Sequence, residues 1–392
     1  MVNIANPETM TGIRGYALQE NSRHRRAAGR LVKTIAAISA SVLAMTSVGH
    51  ANPKMVIDVR TGKVISHQEA FRKWYPASLT KLMTAYLAFS AMKSGKLSPT
   101  TEVVMSKKAA DQPASKMYFK PGSKLTLDSA LKLLLIKSAN DVAVAIAETV
   151  GGTTDNFVAQ MNAQAARLGM SSTHYINPNG LPGKGQYTTA RDLAVLALIL
   201  KREFPEYAGY FSLEGVSTGK KNYANYNMLV GRFDGADGMK TGFICASGFN
   251  QVSSASRNGR QVVSVVLGAD SLAGRTDQSA DLLQMGLTSP SGQGVSLASL
   301  APYGDTDLND VSADICNPKA AKVRSESRDD AGRMIIKSPY VQEMTRPPVY
   351  SYAGLIPGSE TLAANATPAT ATTATAKGSP ANVPIPIPRP AF

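Results

Sequence analysis

Arg257-Asn258-Gly259-Arg260-Gln261-Val262-Val263-Ser264-Val265-Val266-Leu267-Gly268 is the stretch from which the fold can be read. Asn-Gly between apolar runs is a strong two-residue hairpin signal. The five aliphatic residues from Val262 to Leu267 are too nearly continuous for a strand with one wet face, and suit one buried on both. Residues 241–256 read as the partner strand before the turn. At the other end of the folded region, Met55-Val56-Ile57 and Val64-Ile65 flank the turn signal Arg60-Thr61-Gly62-Lys63, which predicts a hairpin over 54–68. Helical periodicity fills the space between. One helix opens at Pro76-Ala77-Ser78 and runs to about Lys93. Others cover 126–137, 142–150 with Asp141 as N-cap, 155–168 and 188–202, and a last one covers 275–286. The order strands, helices, strands, helix predicts an α+β fold. An antiparallel sheet is closed by both ends of the domain and flanked by helices, with an inserted helical region.

The ends read differently from this domain, taken as 52–286. In residues 1–51, a basic region (Arg23, Arg25, Arg26, Arg30, Lys33) precedes the uncharged, mostly apolar run Thr34–Val48 and the small residues around Gly49-His50-Ala51. That is the pattern of an export signal, an uncleaved anchor being the alternative; the run is short for a bilayer span. Residues 287–360 show only scattered short elements and form an extension of uncertain fold. Residues 361–392 are Ala/Thr-rich and then Pro-rich, a composition that buries no core and predicts disorder.

Net charge localises the basic excess. Residues 1–51 hold 6 basic and 2 acidic residues and residues 287–392 hold 9 of each. The chain's 42 basic and 28 acidic residues thus leave 27 against 17 between Asn52 and Gly286. The basic residues are scattered, with no Lys/Arg run and no stacking motif, so an anionic substrate or wall is the expected partner and nucleic acid is not. His24, His50, His67 and His174 are dispersed, and neither a metal nor a cofactor is expected. Cys245 and Cys316 can pair in an oxidising compartment or remain buried thiols.

The chemistry starts from serine and lysine. A serine hydroxyl needs a base, and a lysine serves once burial or neighbouring cations keep it neutral. Ser-x-x-Lys occurs four times: Ser78/Lys81, Ser90/Lys93, Ser129/Lys132 and Ser217/Lys220. Ser90 and Ser129 lie inside predicted helices and Ser217 lies in a loop. Only Ser78 stands at a helix start, where the field favours developing negative charge. Sixty residues on, Ser138-Ala139-Asn140 falls at a break between helices. A serine there can relay a proton and an Asn amide can hold a substrate carbonyl. Lys240-Thr241-Gly242 occurs once, at a strand start. It offers a cation and a hydroxyl to a substrate carboxylate, and a glycine against which substrate backbone can lie.

In this order and setting the three elements resemble the set found in penicillin-binding proteins and class A β-lactamases. Pro76-Ala77-Ser78-Leu79-Thr80-Lys81, Ser138-Ala139-Asn140-Asp141-Val142 and Asp237-Gly238-Met239-Lys240-Thr241-Gly242-Phe243 are similar to the low-molecular-mass D-alanyl-D-alanine carboxypeptidases, serine peptidase family S11. So is Thr188-Thr189-Ala190-Arg191-Asp192-Leu193 after a Pro-Asn-Gly-Leu loop. The resemblance covers about residues 53–286 and implies a β-lactamase/transpeptidase-like fold. It further implies Ser78 as nucleophile, Lys81 as base, and Ser138 with Lys240 as the path of the proton to the leaving amine. Asn140 would hold the acyl amide, and backbone N–H groups of Ser78 and Phe243, beside Gly242, would form the oxyanion hole. Thr241 and Arg275 would bind the terminal carboxylate; for Arg275 a plain surface arginine is the alternative. The implied partners are the peptidoglycan stem peptide and, as covalent inhibitors, β-lactams. The tail has no amphipathic pattern to anchor with, so an exported, periplasmic or wall-associated enzyme without a stable membrane anchor is expected.

Three alternatives use overlapping residues. A class A β-lactamase needs a glutamate between the second and third motifs, and Glu148, Glu203, Glu206 and Glu214 are the candidates, none in a Glu-x-x-Leu-Asn setting. A D,D-endopeptidase would use the same groups. A non-enzymatic β-lactam sensor or wall-binding module should lack one of them.

Overall fold

The computed structural model describes residues 52–319, 329 and 334–359. The expected export signal and the 361–392 tail lie outside the described residues. The described residues begin with β1 (Lys54–Asp58) and β2 (Val64–Gln68), an antiparallel hairpin. A 3-10 turn, Ala77–Thr80, leads into α1 (Lys81–Lys93). The short pair β3 (Glu102–Val104) and β4 (Lys124–Thr126) follows. Then come α2 (Leu127–Lys132), which widens into a π-turn at Leu133–Lys137, α3 (Asn140–Gly151), α4 (Thr154–Arg167) and α5 (Ala190–Glu203). A second short pair, β5 (Gly215–Ser217) and β6 (Asn222–Ala224), precedes β7 (Ala236–Ile244), β8 (Gly248–Arg257) and β9 (Arg260–Ala269). The series ends with α6 (Leu272–Thr288) and β10 (Tyr350–Tyr352).

The main sheet has five antiparallel strands in the order β2-β1-β9-β8-β7. Met55 faces Val265 and Ile57 faces Val263, so the two ends of the domain meet in mid-sheet. This is the α+β, transpeptidase-like architecture expected. Every residue from Val262 to Ala269 is buried, as a strand covered on both faces requires. Val263, Val265 and Leu267 join the large core with α1 and α5, whereas Val262 packs with Ala280 and Leu283 of α6. Helix α1 is buried nearly all round, from Leu82 to Met92, and forms the axis of the helical region. Asn258 and Gly259 both have positive φ, 53° and 71°, the conformation a two-residue hairpin turn demands.

Four local expectations are corrected. Residues 241–256 do not form one strand, and Lys240-Thr241-Gly242 lies inside β7, which already begins at Ala236, and not at a strand start. Cys245-Ala246-Ser247 turns the chain between β7 and β8, with Ser247 N–H donating to the Ile244 carbonyl at 3.0 Å. Cys245 and Ala246 are themselves apolar, so the hydrophobic run hides the turn. Asp141 is not an N-cap. Ala139 holds that position, extended at φ −66°, because Ser138 before it takes the left-handed conformation, φ 60° and ψ 37°. The Asp141 carboxylate instead accepts N–H groups from Met117 (2.7 Å), Tyr118 (3.1 Å) and Val142 (2.9 Å). Helix α6 starts at Leu272, capped by the Ser271 hydroxyl, three residues before Arg275.

The described residues after α6 are laid along this body as a strap. Val64 N–H donates to the Val295 carbonyl and Leu297 N–H to that of Gly62. Val311 N–H reaches the Ala246 carbonyl, and Cys316 is disulfide-bonded to Cys245 with Cα atoms 5.5 Å apart. Ser338 caps against Asp277 and Asp281, Arg346 pairs with Glu214, and β10 lies parallel to β5.

Candidate active site

Ser78 lies in the 3-10 turn and Lys81 is the first residue of α1, so both project from one turn of chain. Ala77 before them has φ 47°, a left-handed setting unusual for a residue with a Cβ. Two contacts hold it there. The loop Asn177–Gly180 presses on it from one side: a Cβ on Gly180 would meet the Ala77 carbonyl oxygen at 1.8 Å. From the other side, β7 closes in. A Cβ on Gly242 would lie 2.9 Å from Ser78 N and 3.2 Å from Ala77 Cβ. Glycine at both positions lets backbone touch backbone around the nucleophile.

Lys81 is wholly buried, and its ammonium has three neutral partners. Nζ lies 2.9 Å from Ser78 Oγ, 2.8 Å from Asn140 Oδ1 and 2.6 Å from the Asn179 carbonyl oxygen. Asn140 is held in that orientation by its own Nδ2, which donates to the Pro113 carbonyl at 3.0 Å. Burial pushes the Lys81 pKa well below the usual lysine range, and the charge of Lys240 adds to this; Asp141 pulls the other way, and Lys137 adds a smaller lowering effect. Neutral lysine has two N–H bonds and one lone pair. An amide oxygen and a carbonyl oxygen can only accept, so they take the two N–H bonds. The lone pair is thereby left to the one partner that can donate, the Ser78 hydroxyl. The site thus selects which hydrogen bond reverses when Lys81 loses its proton.

Ser78, Ser138, Asn140, Thr241, Gly242, Phe243 and Arg275 line one cavity of about 410 Å³. Ser138 reaches it from the break between the π-turn and α3, and its hydroxyl makes no hydrogen bond among the described residues. Thr241, Gly242 and Phe243 reach it from β7, the sheet edge, where the backbone is free to accept a further strand. Lys240 is buried beside them, its Nζ donating to the Thr241 carbonyl at 2.9 Å. Burial lowers its pKa to about 7, helped by the charges of Arg275 and Lys137. Arg275 is 2% exposed, and so is not a surface arginine. One nitrogen donates to the Tyr226 carbonyl at 3.2 Å, its Nε has no partner, and burial lowers its pKa to about 10. A buried guanidinium with donors to spare at a cavity wall is a receptor for an anion.

None of the four glutamates considered as deacylation bases lines this cavity. Glu203 accepts from Tyr86, and Glu206 and Glu214 pair with Lys93 and Arg346. Sequence reading missed Asn179, whose contribution is a backbone carbonyl, and Lys137, which acts through charge. It also missed the cavity walls supplied by Tyr226 and Phe249. In the sequence the Asn179-Gly180 pair is legible only as part of a loop; the close approach at Gly180 appears only in the fold.

An α+β transpeptidase-like fold that sets a half-buried serine beside a buried lysine, with a Ser-x-Asn turn and a cationic strand edge, is the arrangement of the penicillin-binding class. The chain belongs to the D-alanyl-D-alanine carboxypeptidase family, peptidase S11, whose family model matches residues 41–271. It is similar to the D-alanyl-D-alanine carboxypeptidase DacC of Escherichia coli K12, 35% identical over 239 residues, which cover 59% of this chain and 60% of that protein. The D-alanyl-D-alanine carboxypeptidase DacD from Francisella tularensis superposes with a TM-score of 0.59 at 35% identity, covering 61% of this chain and 70% of that one. Penicillin-binding protein D2 from Listeria monocytogenes, solved in a cefotaxime-bound form, gives 0.56 at 31% identity, covering 61% and 97%.

Proposed function

We propose that this protein is a serine-type D-alanyl-D-alanine carboxypeptidase that trims the terminal D-alanine from peptidoglycan stem pentapeptides. The observation that carries the reading is the Lys81 environment: a buried amine with two obligate acceptors, its lone pair turned to Ser78 Oγ. Ser78 Oγ attacks the carbonyl between the two D-alanines while its proton passes to Lys81 Nζ. The oxyanion faces the helix start and the backbone N–H groups of Ser78 and Phe243. Asn140 keeps one amide hydrogen for the acyl chain, and Thr241 and Arg275 take the terminal carboxylate. Ser138, with Lys240 behind it, delivers a proton to the departing amine. The C–N bond breaks, free D-alanine leaves, and water then cleaves the Ser78 ester. β-Lactams, which carry a strained amide and a carboxylate in comparable places, acylate Ser78 and block it.

The same reading places the protein outside the cytoplasm, in the periplasm or at the wall, delivered by the segment 1–51. The Cys245–Cys316 bond supports an oxidising compartment. Among the described residues no helix is long and apolar enough to cross a membrane.

Fluorescent penicillin tests the core of the proposal. Wild type should label covalently and Ser78→Ala should not; a labelled Ser78→Ala protein would remove the nucleophile assignment. Release of free D-alanine from a pentapeptide, with little cleavage of a cross-linked dimer, is the expected activity, and the opposite ratio would point to an endopeptidase.

A further inference from the structure

A second cleft of about 620 Å³ adjoins the catalytic cavity, lined by Lys116, Lys137, Lys220, Lys221, Tyr118 and Tyr223 together with apolar residues. No acidic side chain lines it. One wall is the segment from Lys116 to Phe119, pinned by the Asp141 carboxylate through the N–H groups of Met117 and Tyr118. The other is the turn between β5 and β6, which carries Lys220 and Lys221. Lys116, Lys137 and Lys221 form no ion pair among the described residues. Lys116 Nζ donates to the Ala110 carbonyl at 2.8 Å and sits 5.1 Å from the Tyr118 ring centre. Lys137 Nζ lies 5.6 Å and 5.5 Å from the ring centres of Tyr223 and Tyr226. Asp141, the carboxylate that acts on Lys116, is fully buried with both oxygens occupied, so it offers the cleft no exposed counter-charge.

The two cavities share a wall. Lys137 Nζ donates to the Tyr226 hydroxyl at 3.1 Å, Tyr226 lines the catalytic cavity, and Ser138 follows Lys137 in the chain. A ligand anchored at Ser78 and longer than the catalytic cavity can therefore continue into the cleft. Three lysines without an ion pair among the described residues, with Lys220 beside them on a lining that holds no acidic side chain, concentrate an anion, and the two tyrosine faces favour flat peptide groups between the charges.

We propose that this cleft binds the carboxylate-bearing part of the stem peptide that precedes its D-Ala-D-Ala end, so that the protein prefers free-acid stems to amidated ones. The inference rests on the carboxypeptidase reading, and its test separates the two. The full chain is assayed for D-alanine release from L-Ala-γ-D-Glu-L-Lys-D-Ala-D-Ala and from the same peptide with the glutamate α-carboxylate amidated. Fluorescent penicillin, which lacks the glutamate carboxylate, is run alongside. Wild type should show kcat/KM about five- to tenfold higher for the acid peptide, the effect of two partly screened charge contacts, and the ratio should shrink between about 20 and 500 mM salt. The exposed pair Lys220→Gln/Lys221→Gln should bring the ratio close to one, leaving the amidated peptide and penicillin labelling within about twofold of wild type. Equal kcat/KM for the two peptides in a wild-type protein that labels with penicillin would overturn the cleft alone. So would a preference that survives the double substitution. A wild-type protein that does not label would overturn the carboxypeptidase reading and this inference with it.

Discussion

Gly242→Ala should separate the chemistry of the site from the stability of the fold. A Cβ at this position would stand 2.9 Å from Ser78 N and 3.2 Å from both Ala77 Cβ and Leu79 N. These atoms belong to backbone or to the first carbon of a side chain, so no flexible group can step aside. An ordinary contact needs about 3.4 Å or more, so roughly half an ångström of movement is required. The 3-10 turn is held by the large core and by Gly180, whereas β7 is an edge strand bonded on one side only. The strand is therefore the part that moves, carrying Thr241 and Phe243 away from Ser78. A misplacement of about 1 Å costs about 100-fold in rate, and losing one oxyanion donor costs about 100- to 1,000-fold. Half that displacement should slow acylation about 10- to 100-fold. The thermal midpoint should change little, because losing glycine's freedom in the unfolded chain offsets about 0.4–1 kcal/mol of strain. The assay is the second-order rate of fluorescent-penicillin acylation, beside a melting curve. Gly209→Ala, where a Cβ meets nothing within 4 Å, is the control. Acylation within threefold of wild type would refute the claim that glycine is needed for β7 to close on the nucleophile.

Arg275→Met removes a positive charge that, after burial, helps lower the Lys240 pKa to about 7. Activity that needs the Lys240 ammonium should fall as pH rises through that value, and in the variant the falling limb should move to higher pH; a limb that stays or moves down would contradict the coupling. Asp141→Asn leaves at least one of three buried N–H groups facing an amide donor, and should lower stability by about 1–3 kcal/mol in denaturant titrations. An unchanged midpoint would show that the carboxylate does not pin the Met117–Tyr118 segment. The Cys245–Cys316 bond joins residues 71 apart, for which chain entropy allows up to about 4 kcal/mol. Cys316→Ser, or reductant added to wild type, should lower the unfolding midpoint, and insensitivity to reductant would count against the bond as a structural tie.

Much of the sheet and the nucleophile could be read directly, because both leave local marks. Val262–Leu267 behind an Asn-Gly turn announces a buried strand, and Pro76-Ala77-Ser78 announces a helix start that sets Ser78 apart from three look-alikes. The parts that escaped reading leave no such mark. The turn at Cys245–Ser247 interrupts no hydrophobic run. Strands β3 to β6 are three residues each, below the length at which alternation is visible. The strap after α6 is fastened by isolated ties, such as the backbone bond of Leu297 to Gly62, the Ser338 contact with Asp277, the Cys316 disulfide and the short β10 pairing, instead of by a periodic apolar face. Asn179 contributes a carbonyl, which every residue possesses, and Lys137 acts across space by charge. Neither identity nor spacing encodes such roles.

The pairing of β1 with β9 has a consequence for how the molecule comes into being. Asn52 bonds to the Gly268 carbonyl across a sequence separation of 216 residues. A chain delivered N-terminus first thus presents a lone β1–β2 hairpin, which is marginal by itself, until nearly the whole helical region has followed. Contacts of such long range form slowly. The early part of the chain cannot lock prematurely, and threading through a narrow channel is opposed by no finished sheet. Once β9 arrives, β1 gains its partner and the middle of the sheet is completed.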